Sequence, residues 1–247
     1  MRVIAIIPAR LNSKRFPKKL IKKINGVPLI LMTYQNLLFM NIFDEIIVAT
    51  DSLKISNIIQ KNGGKVFMSK KKHSCGSDRV SEASSNFNSD IVINVQGDEP
   101  FVSSNSIKKI INFFKNKINK DIPVVSLIYK TKNYKLIEDK NCVKVVLDKN
   151  KFAMYLSRSK IPFSRNPRKV FNFYIHVGVY GFLKKSIIQF SRLKPSKLEK
   201  TEMIECMRFI ENGQKIKMID IEEPTIGVDT PHDLIRAEKY LNSNLNV

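Results

Sequence analysis

Over its first hundred or so residues the chain alternates between two patterns. Short, near-continuous apolar runs, RVIAIIP, EIIVAT, KVFM and DIVINV, have the character of strands covered on both faces. Between and after them, PLILMTYQNLLFM, LKISNIIQKN, DRVSEASSNF and SNSIKKIINFFKN carry apolar residues at helical spacing. Strand and helix in strict turn predict a parallel sheet with helices on both sides and right-handed crossovers. The glycines of KNGG, residues 61–64, stand where the second helix wants a left-handed C-cap.

From about residue 122 the pattern changes. PVVSLIYK, CVKVVLD, FAMYLS and FYIHVGVYGF are strands with little between them. LEKTEMIECMRFIEN then predicts one helix, KIKMIDI a strand and TPHDLIRAEKYL a closing helix. These strands extend or flank the first sheet. The expectation is a single α/β domain over residues 1–247, in three layers around a mostly parallel sheet, without internal repeats or a low-complexity linker.

Open α/β sheets bind ligands beyond the carboxyl ends of their strands. That rule gathers the loop from Pro8 to Leu20, the pair Thr50 and Asp51, and the stretch from Gln96 to Pro100. The first loop holds Arg10, Lys14, Arg15, Lys18 and Lys19, like charges that repel unless an anion joins them. Arginine forks, a lysine and the Ser13 hydroxyl suit phosphate oxygens. Neither G-x-G-x-x-G nor G-x-x-x-x-G-K-[ST] occurs among the nine glycines, so the two commonest phosphate loops are excluded.

In NVQGDEP, Asp98 and Glu99 leave the fourth strand as a turn or as carboxylates reaching a hard cation such as Mg²⁺. In GVDTPHDL, Thr230 reads as an N-cap, Pro231 as the first helical residue and Asp233 as the capping-box partner. Asp229 lies outside that cap, either a turn acid or a second carboxylate ligand. His176, inside an apolar strand, is a hydrogen-bonded core histidine or a ligand. Glu199, Glu202 and Glu205 recur at i, i+3 and i+6 on one predicted helix, which makes a solvated face or a polyol-binding one.

Composition narrows the class. The chain is 43% hydrophobic, and no apolar run approaches the roughly eighteen residues of a membrane span. The first strand is too short for a signal peptide, and three widely spaced cysteines fit a reducing compartment, so a cytoplasmic protein is expected. A net charge of +21 admits a nucleic-acid-binding reading. However, only ten of the 43 basic residues are arginine, and the lysines are scattered rather than gathered in a stripe. SKKKH (69–73) and KNKINK (115–120) read as solvated segments.

Eight stretches taken together carry a resemblance: IPAR..S.R.P.K, HSCGSDR, NVQGDEP, VKVVLD, YLSRSKIP, HVGVYGF, LEKTEMIE and GVDTP. In this order and spacing they resemble the 3-deoxy-manno-octulosonate cytidylyltransferases, from residue 3 to about 240. The resemblance implies a nucleotidyltransferase fold, usually dimeric, that couples CTP to the acid sugar KDO, releases pyrophosphate and feeds CMP-KDO to lipopolysaccharide synthesis. It implies a CTP-binding half over 1–120 and a sugar-binding and dimerisation half from about 121. By matching position, Arg10, Ser13, Arg15 and Lys19 would hold the phosphates. Ser74, Gly76, Ser77, Arg79 and Gln96 would recognise cytosine and ribose. Asp98 and Asp229 would bind Mg²⁺ and, with Arg10 and Lys19, carry catalysis. Arg158, His176, Tyr180, Glu199, Glu202 and Glu205 would line the sugar pocket.

Three positions depart from the family pattern. Lys18 stands for the usual glycine before the loop lysine, Cys75 for a serine, and Cys206 for a glutamine that could hydrogen-bond the sugar. Two other readings stay open from the residues: a cytidylyltransferase for another acid sugar such as a sialic acid, and a basic nucleic-acid-binding protein.

Overall fold

The computed structural model describes residues 1–13, 16–116, 119, 121–166, 172–222 and 225–244. Arg15 of the basic loop, and Lys117, Ile118 and Lys120 of KNKINK, lie outside the described residues.

The first half alternates as the pattern requires: β1 (Val3–Ala9), α1 (Leu29–Phe39), β4 (Glu45–Thr50), α2 (Leu53–Lys61), β5 (Lys65–Met68), α3 (Gly76–Ser84), β6 (Ile91–Val95) and α4 (Ser104–Lys115). Every residue of β1 is buried, because helices cover both of its faces. The strands β1, β4, β5 and β6 pair in parallel in the order β6-β1-β4-β5. Gly63, at φ +74, ends α2 in the left-handed conformation. A short hairpin, β2 (Lys23–Ile24) and β3 (Val27–Pro28), turns on Asn25 and Gly26, both at positive φ.

The second half adds β7 (Val124–Thr131), β8 (Lys144–Leu147), β9 (Ala153–Ser157), β10 (Phe173–Leu183) and β11 (Ile216–Asp220). The full order is β11-β7-β10-β6-β1-β4-β5, and β10 runs antiparallel to both β6 and β7. β8 and β9 hang from β10 as an antiparallel flap. One face of the sheet packs against α1, α2, α4 and the closing helix α9 (Pro231–Asn244) through residues such as Leu29, Ile59, Ile107 and Ala237. The other packs against α3, α6 (Lys184–Phe190) and α8 (Met207–Glu211) through Val80, Ile187, Phe190 and Phe209. These are the expected three layers. Each aliphatic side chain so buried contributes roughly 1.5–3 kcal/mol. Among the described residues, no helix is long and apolar enough to cross a membrane.

Two expectations are corrected. The connections in the second half hold more structure than expected, with α5 (Tyr134–Glu138) before β8 and α6 after β10. The single helix over 198–212 is two: α7 (Lys197–Glu202) and α8, broken at Met203, which takes φ 55 and ψ 44. A capping box of Ser196 and Glu199 starts α7. Tertiary hydrogen bonds to Glu205, described below, hold the chain out of helix after it, and they outweigh local propensity.

Candidate active site

A cavity of about 530 Å³ opens beyond the carboxyl ends of β1 and β6, where the sheet order turns from parallel to antiparallel. One wall is polar, lined by Arg10, Ser74, Gly76, Arg79 and Gln96. The opposite wall brings in Arg158, His176, Tyr180, Glu199 and Glu205. Asp98 and Asp229 also line it. Ser13 is half-buried on the loop after β1 but is not among the described lining residues, and neither are Lys19, Ser77 and Glu202.

Phe16 and Leu20, both buried in the core, anchor the segment that carries Lys19. Lys19 begins a short 3₁₀ turn (Lys19–Ile21) and reaches across to the floor. Its Nζ donates to Asp98 Oδ2 and, at 2.7 Å, to Asp229 Oδ1. Burial works against the ammonium, but the two carboxylates outweigh it and hold the Lys19 pKa above its ordinary value. Lys19 thus meets an acid 210 positions away in the sequence. Asp229 is placed by the predicted cap: Thr230 Oγ1 accepts from the Asp233 N–H, and Asp233 Oδ2 accepts from the N–H groups of Asp229 and Thr230.

Lys18, the residue in the family's glycine position, sits in the left-handed region at φ 57. Such a conformation is unfavourable for a residue with a Cβ. Lys18→Gly is therefore expected to gain ~0.5–1 kcal/mol of stability after the glycine's extra unfolded-state freedom is subtracted. Thermal melting would register this as a rise of about 1–4 °C.

On the first, polar wall, Glu205 supplies the cap of α3 from the far side of the cavity. It accepts from Ser77 N at 3.0 Å and from Ser77 Oγ at 2.9 Å, with Gln96 Nε2 at 3.4 Å. Burial raises the Glu205 carboxyl, against the Ser77 hydrogen bonds that lower it. Arg79 is buried and donates through Nη2 to Asp51 Oδ2 at 2.9 Å, while its buried Nη1 has no partner among the described residues. A buried guanidinium nitrogen left in this state is a donor available to a ligand carbonyl or hydroxyl.

On the other wall, His176 Nε2 lies 2.9 Å from Ser126 Oγ and its ring tilts against Tyr180. Burial lowers its pKa to about 4. The folded state therefore keeps the ring neutral while the unfolded chain takes up a proton near pH 6.5, so stability falls as pH drops from about 6.5 to 4 and then levels off. Chemical denaturation at pH 7 and pH 4 should show His176→Asn losing about 2–3 kcal/mol less than the unsubstituted protein, part of the full shift being relieved by cavity water.

The three glutamates do not share a face, which corrects the sequence expectation. Glu199 pairs with the buried Arg208 through Nε and Nη2 at 2.7 and 2.6 Å. Glu202 turns to β9, accepting from Ser157 Oγ at 2.7 Å and from the Arg158 N–H at 3.0 Å. Glu205 reaches across to Ser77 at the start of α3. Arg158 lines the cavity but is itself held by the carbonyls of Lys140, Glu202 and Met203. Cys206 does not take the place of a sugar-binding glutamine: it is 2% exposed, in the core beneath Tyr180 and hydrogen-bonded to it.

Three participants escaped the sequence reading. Arg208 binds Asp78 at 2.7 Å as well as Glu199 and stacks on Phe190 at 4.1 Å, tying the Ser74–Gly76 loop to α7. Lys144, fully buried, donates to the carbonyls of Asp139, Cys142 and Arg158 at 2.9, 2.7 and 2.6 Å. Arg236 of α9 lines the cavity beside Asp233. A lone cation within an apolar helix or strand pattern gives no sign of partners so far away in sequence.

Among the described residues, no three His, Cys, Asp or Glu side chains converge as a metal site. Asp98 and Asp229 nevertheless fit Mg²⁺. They are oxygen donors already gathered around one positive charge, and this ion binds through one or two carboxylates while keeping waters and substrate oxygens.

A family match and the similarity to a solved structure place this chain among the nucleotidyltransferases. Residues 4–216 match the cytidylyltransferase family. The 3-deoxy-manno-octulosonate cytidylyltransferase of Christiangramia forsetii is 44% identical over 241 residues, covering 98% of this chain and 97% of that one. The enzyme of the same name from Flavobacterium johnsoniae is 42% identical, covering 98% and 99%. The chain belongs to the cytidylyltransferase family, in its 3-deoxy-manno-octulosonate branch. A solved CMP:2-keto-3-deoxy-manno-octonic acid synthetase complexed with CTP superposes with a TM-score of 0.89 at 31% identity, covering 99% of this chain and 100% of that one. The 4-diphosphocytidyl-2C-methyl-D-erythritol synthase of Anaerococcus prevotii shares the fold at a TM-score of 0.63 and 21% identity, covering 98% of each.

Proposed function

We propose that this protein activates KDO, converting CTP and 3-deoxy-D-manno-octulosonate to CMP-KDO and pyrophosphate. The observation that carries the reading is the cavity in which Arg10 and the α3 N-terminus face a His176–Tyr180 wall across Asp98 and Asp229, the two acids that Lys19 joins. CTP occupies the first side. Gln96 and the Ser74–Ser77 segment read the base and ribose, and Arg10 and Lys19 bring positive charge to the triphosphate. The sugar occupies the other side, where His176, neutral at working pH, offers a hydrogen bond to a hydroxyl and the Tyr180 ring gives an apolar floor.

The anomeric hydroxyl attacks the α-phosphorus in line. The hydroxyl proton passes to water, a new C–O–P link forms, the α–β bridging P–O bond breaks, and pyrophosphate departs. Asp98 and Asp229 would hold Mg²⁺, which neutralises phosphate charge and lowers the pKa of a bound hydroxyl. The chain's own contribution is positioning and charge, with orientation worth roughly 7–11 kcal/mol of barrier.

The product would feed lipopolysaccharide synthesis in the cytoplasm. A homodimer is supported by the apolar side chains of Met154 and Phe163, 59% and 88% exposed, on and beside the edge strand β9. The deciding experiment is pyrophosphate release with Mg²⁺, CTP and KDO, beside UTP, ATP and N-acetylneuraminate. Release confined to CTP with KDO and abolished by EDTA is expected. Release with N-acetylneuraminate in place of KDO would reassign the sugar, and release with no pair would remove the reading.

A further inference from the structure

The carboxyl of Glu99 is packed where two glycines leave room for it. A Cβ on Gly178 of β10 would lie 3.1 Å from Glu99 Oε1, and a Cβ on Gly227 would lie 3.2 Å from the same atom. Neither glycine has a backbone conformation that demands glycine. Their missing side chains therefore answer to Glu99. Its Oε1 accepts the Gly178 N–H at 3.3 Å, and Thr225 also reaches the carboxyl. Oε2 is buried and has no partner among the described residues. An acid left half-satisfied is an unfavourable choice for folding alone, since an apolar side chain would fill the same space.

Three segments meet on this one side chain. Asp98 precedes it, Asp229 lies two residues beyond Gly227, and His176 lies two residues before Gly178. The Val228 N–H also donates to the Asp98 carbonyl at 2.9 Å, so the segment before Asp229 is already joined to the turn that carries Asp98. Resting on the function proposed above, we infer that Glu99 is a positioning residue. It acts as a spacer that sets the separation of Asp98 from Asp229 and of both from the His176 wall, and so tunes the site for a divalent cation.

Three variants and two readouts test this. The readouts are Mn²⁺ binding in the presence of CTP, followed by electron paramagnetic resonance, and kcat for pyrophosphate release. Glu99→Gln keeps shape and acceptor and should leave both within about threefold. Glu99→Ala removes the spacer; Mn²⁺ affinity should fall at least about tenfold and kcat about a hundredfold, the scale set by misplacement of order 1 Å. If Glu99→Ala does not fold, Gly227→Ala, which presses a methyl against the carboxyl, should weaken Mn²⁺ in the same sense. Glu99→Asp added to Gly227→Ala should then recover most of the loss by making room.

A purely structural side chain would lower the melting temperature and leave Mn²⁺ affinity of the folded protein unchanged, which overturns the inference. So does a Glu99→Gln variant that folds normally yet loses a hundredfold in kcat, for then the carboxylate itself takes part in the chemistry. If the unsubstituted protein releases no pyrophosphate with CTP and KDO, the functional reading fails, while the Mn²⁺ comparison still decides the spacer.

Discussion

Asp98→Asn is expected to slow pyrophosphate release from CTP and KDO by at least about a thousandfold while the melting temperature moves by only a few degrees. The carboxylate shares Lys19 with Asp229, so the folded state keeps one ion pair when Asp98 is neutralised. Asparagine also retains a carbonyl oxygen toward the ammonium, and the stability change should stay within about 1–2 kcal/mol. Catalysis has no such reserve. In the proposed mechanism Asp98 and Asp229 hold the divalent ion together, and halving that charge should appear as a much higher Mg²⁺ requirement together with the lost rate. A variant with unchanged activity would remove Asp98 from the mechanism.

The largest effect on folding is expected at Arg208. Replacement by methionine leaves Asp78 and Glu199 facing each other across a space that excludes water, and breaking a buried network in this way costs roughly 3–5 kcal/mol. Thermal melting should fall by roughly 6–20 °C. Arg208→Lys keeps the charge but lacks the planar fork that meets two carboxylates at once, and it should recover only part of the loss. Adding Asp78→Asn and Glu199→Gln to the methionine variant should restore stability further, because no buried charge is then left alone. Arg208 also meets the Ser74–Gly76 loop, so the folded fraction of Arg208→Lys should show a raised KM for CTP, although the substitution lies on α8.

The first half of the fold was legible because a parallel strand covered on both faces writes a continuous apolar run, and because the helices between such runs keep their period. KNGG and TPHD were legible for a similar reason: caps are local, and the residues that make them are neighbours. The short hairpin at Asn25 and Gly26 carried its turn signal openly, but strands two residues long leave no pattern to flank it. The division of α7 from α8 could not be read, since the bonds that hold Glu205 out of helix run to Ser77, 128 residues away. The even spacing of the three glutamates suggested one face that the chain does not form.

The site divides along the same line. Loops at strand ends followed from topology, and Arg10, Gln96, Asp98 and Asp229 do gather in one cavity. The role of Lys19 as the link between two acids, the withdrawal of Glu202 to β9 and the burial of Cys206 all depend on contacts between distant segments. Lys18 shows the reverse case: the family resemblance implies glycine at this position, and the backbone there takes φ 57, which glycine adopts most readily.

The position of β10 has a consequence for how the protein is made. This strand lies between β6 and β7, which both leave the ribosome long before it. Until residue 183 has emerged, two strands that end up in the middle of the sheet expose open edges, which neighbouring nascent chains can pair with. Translation that stalls or terminates in the interval between β7 and β10 should therefore yield aggregates rather than a smaller folded unit. The pace of synthesis across residues 132–183 becomes a determinant of yield.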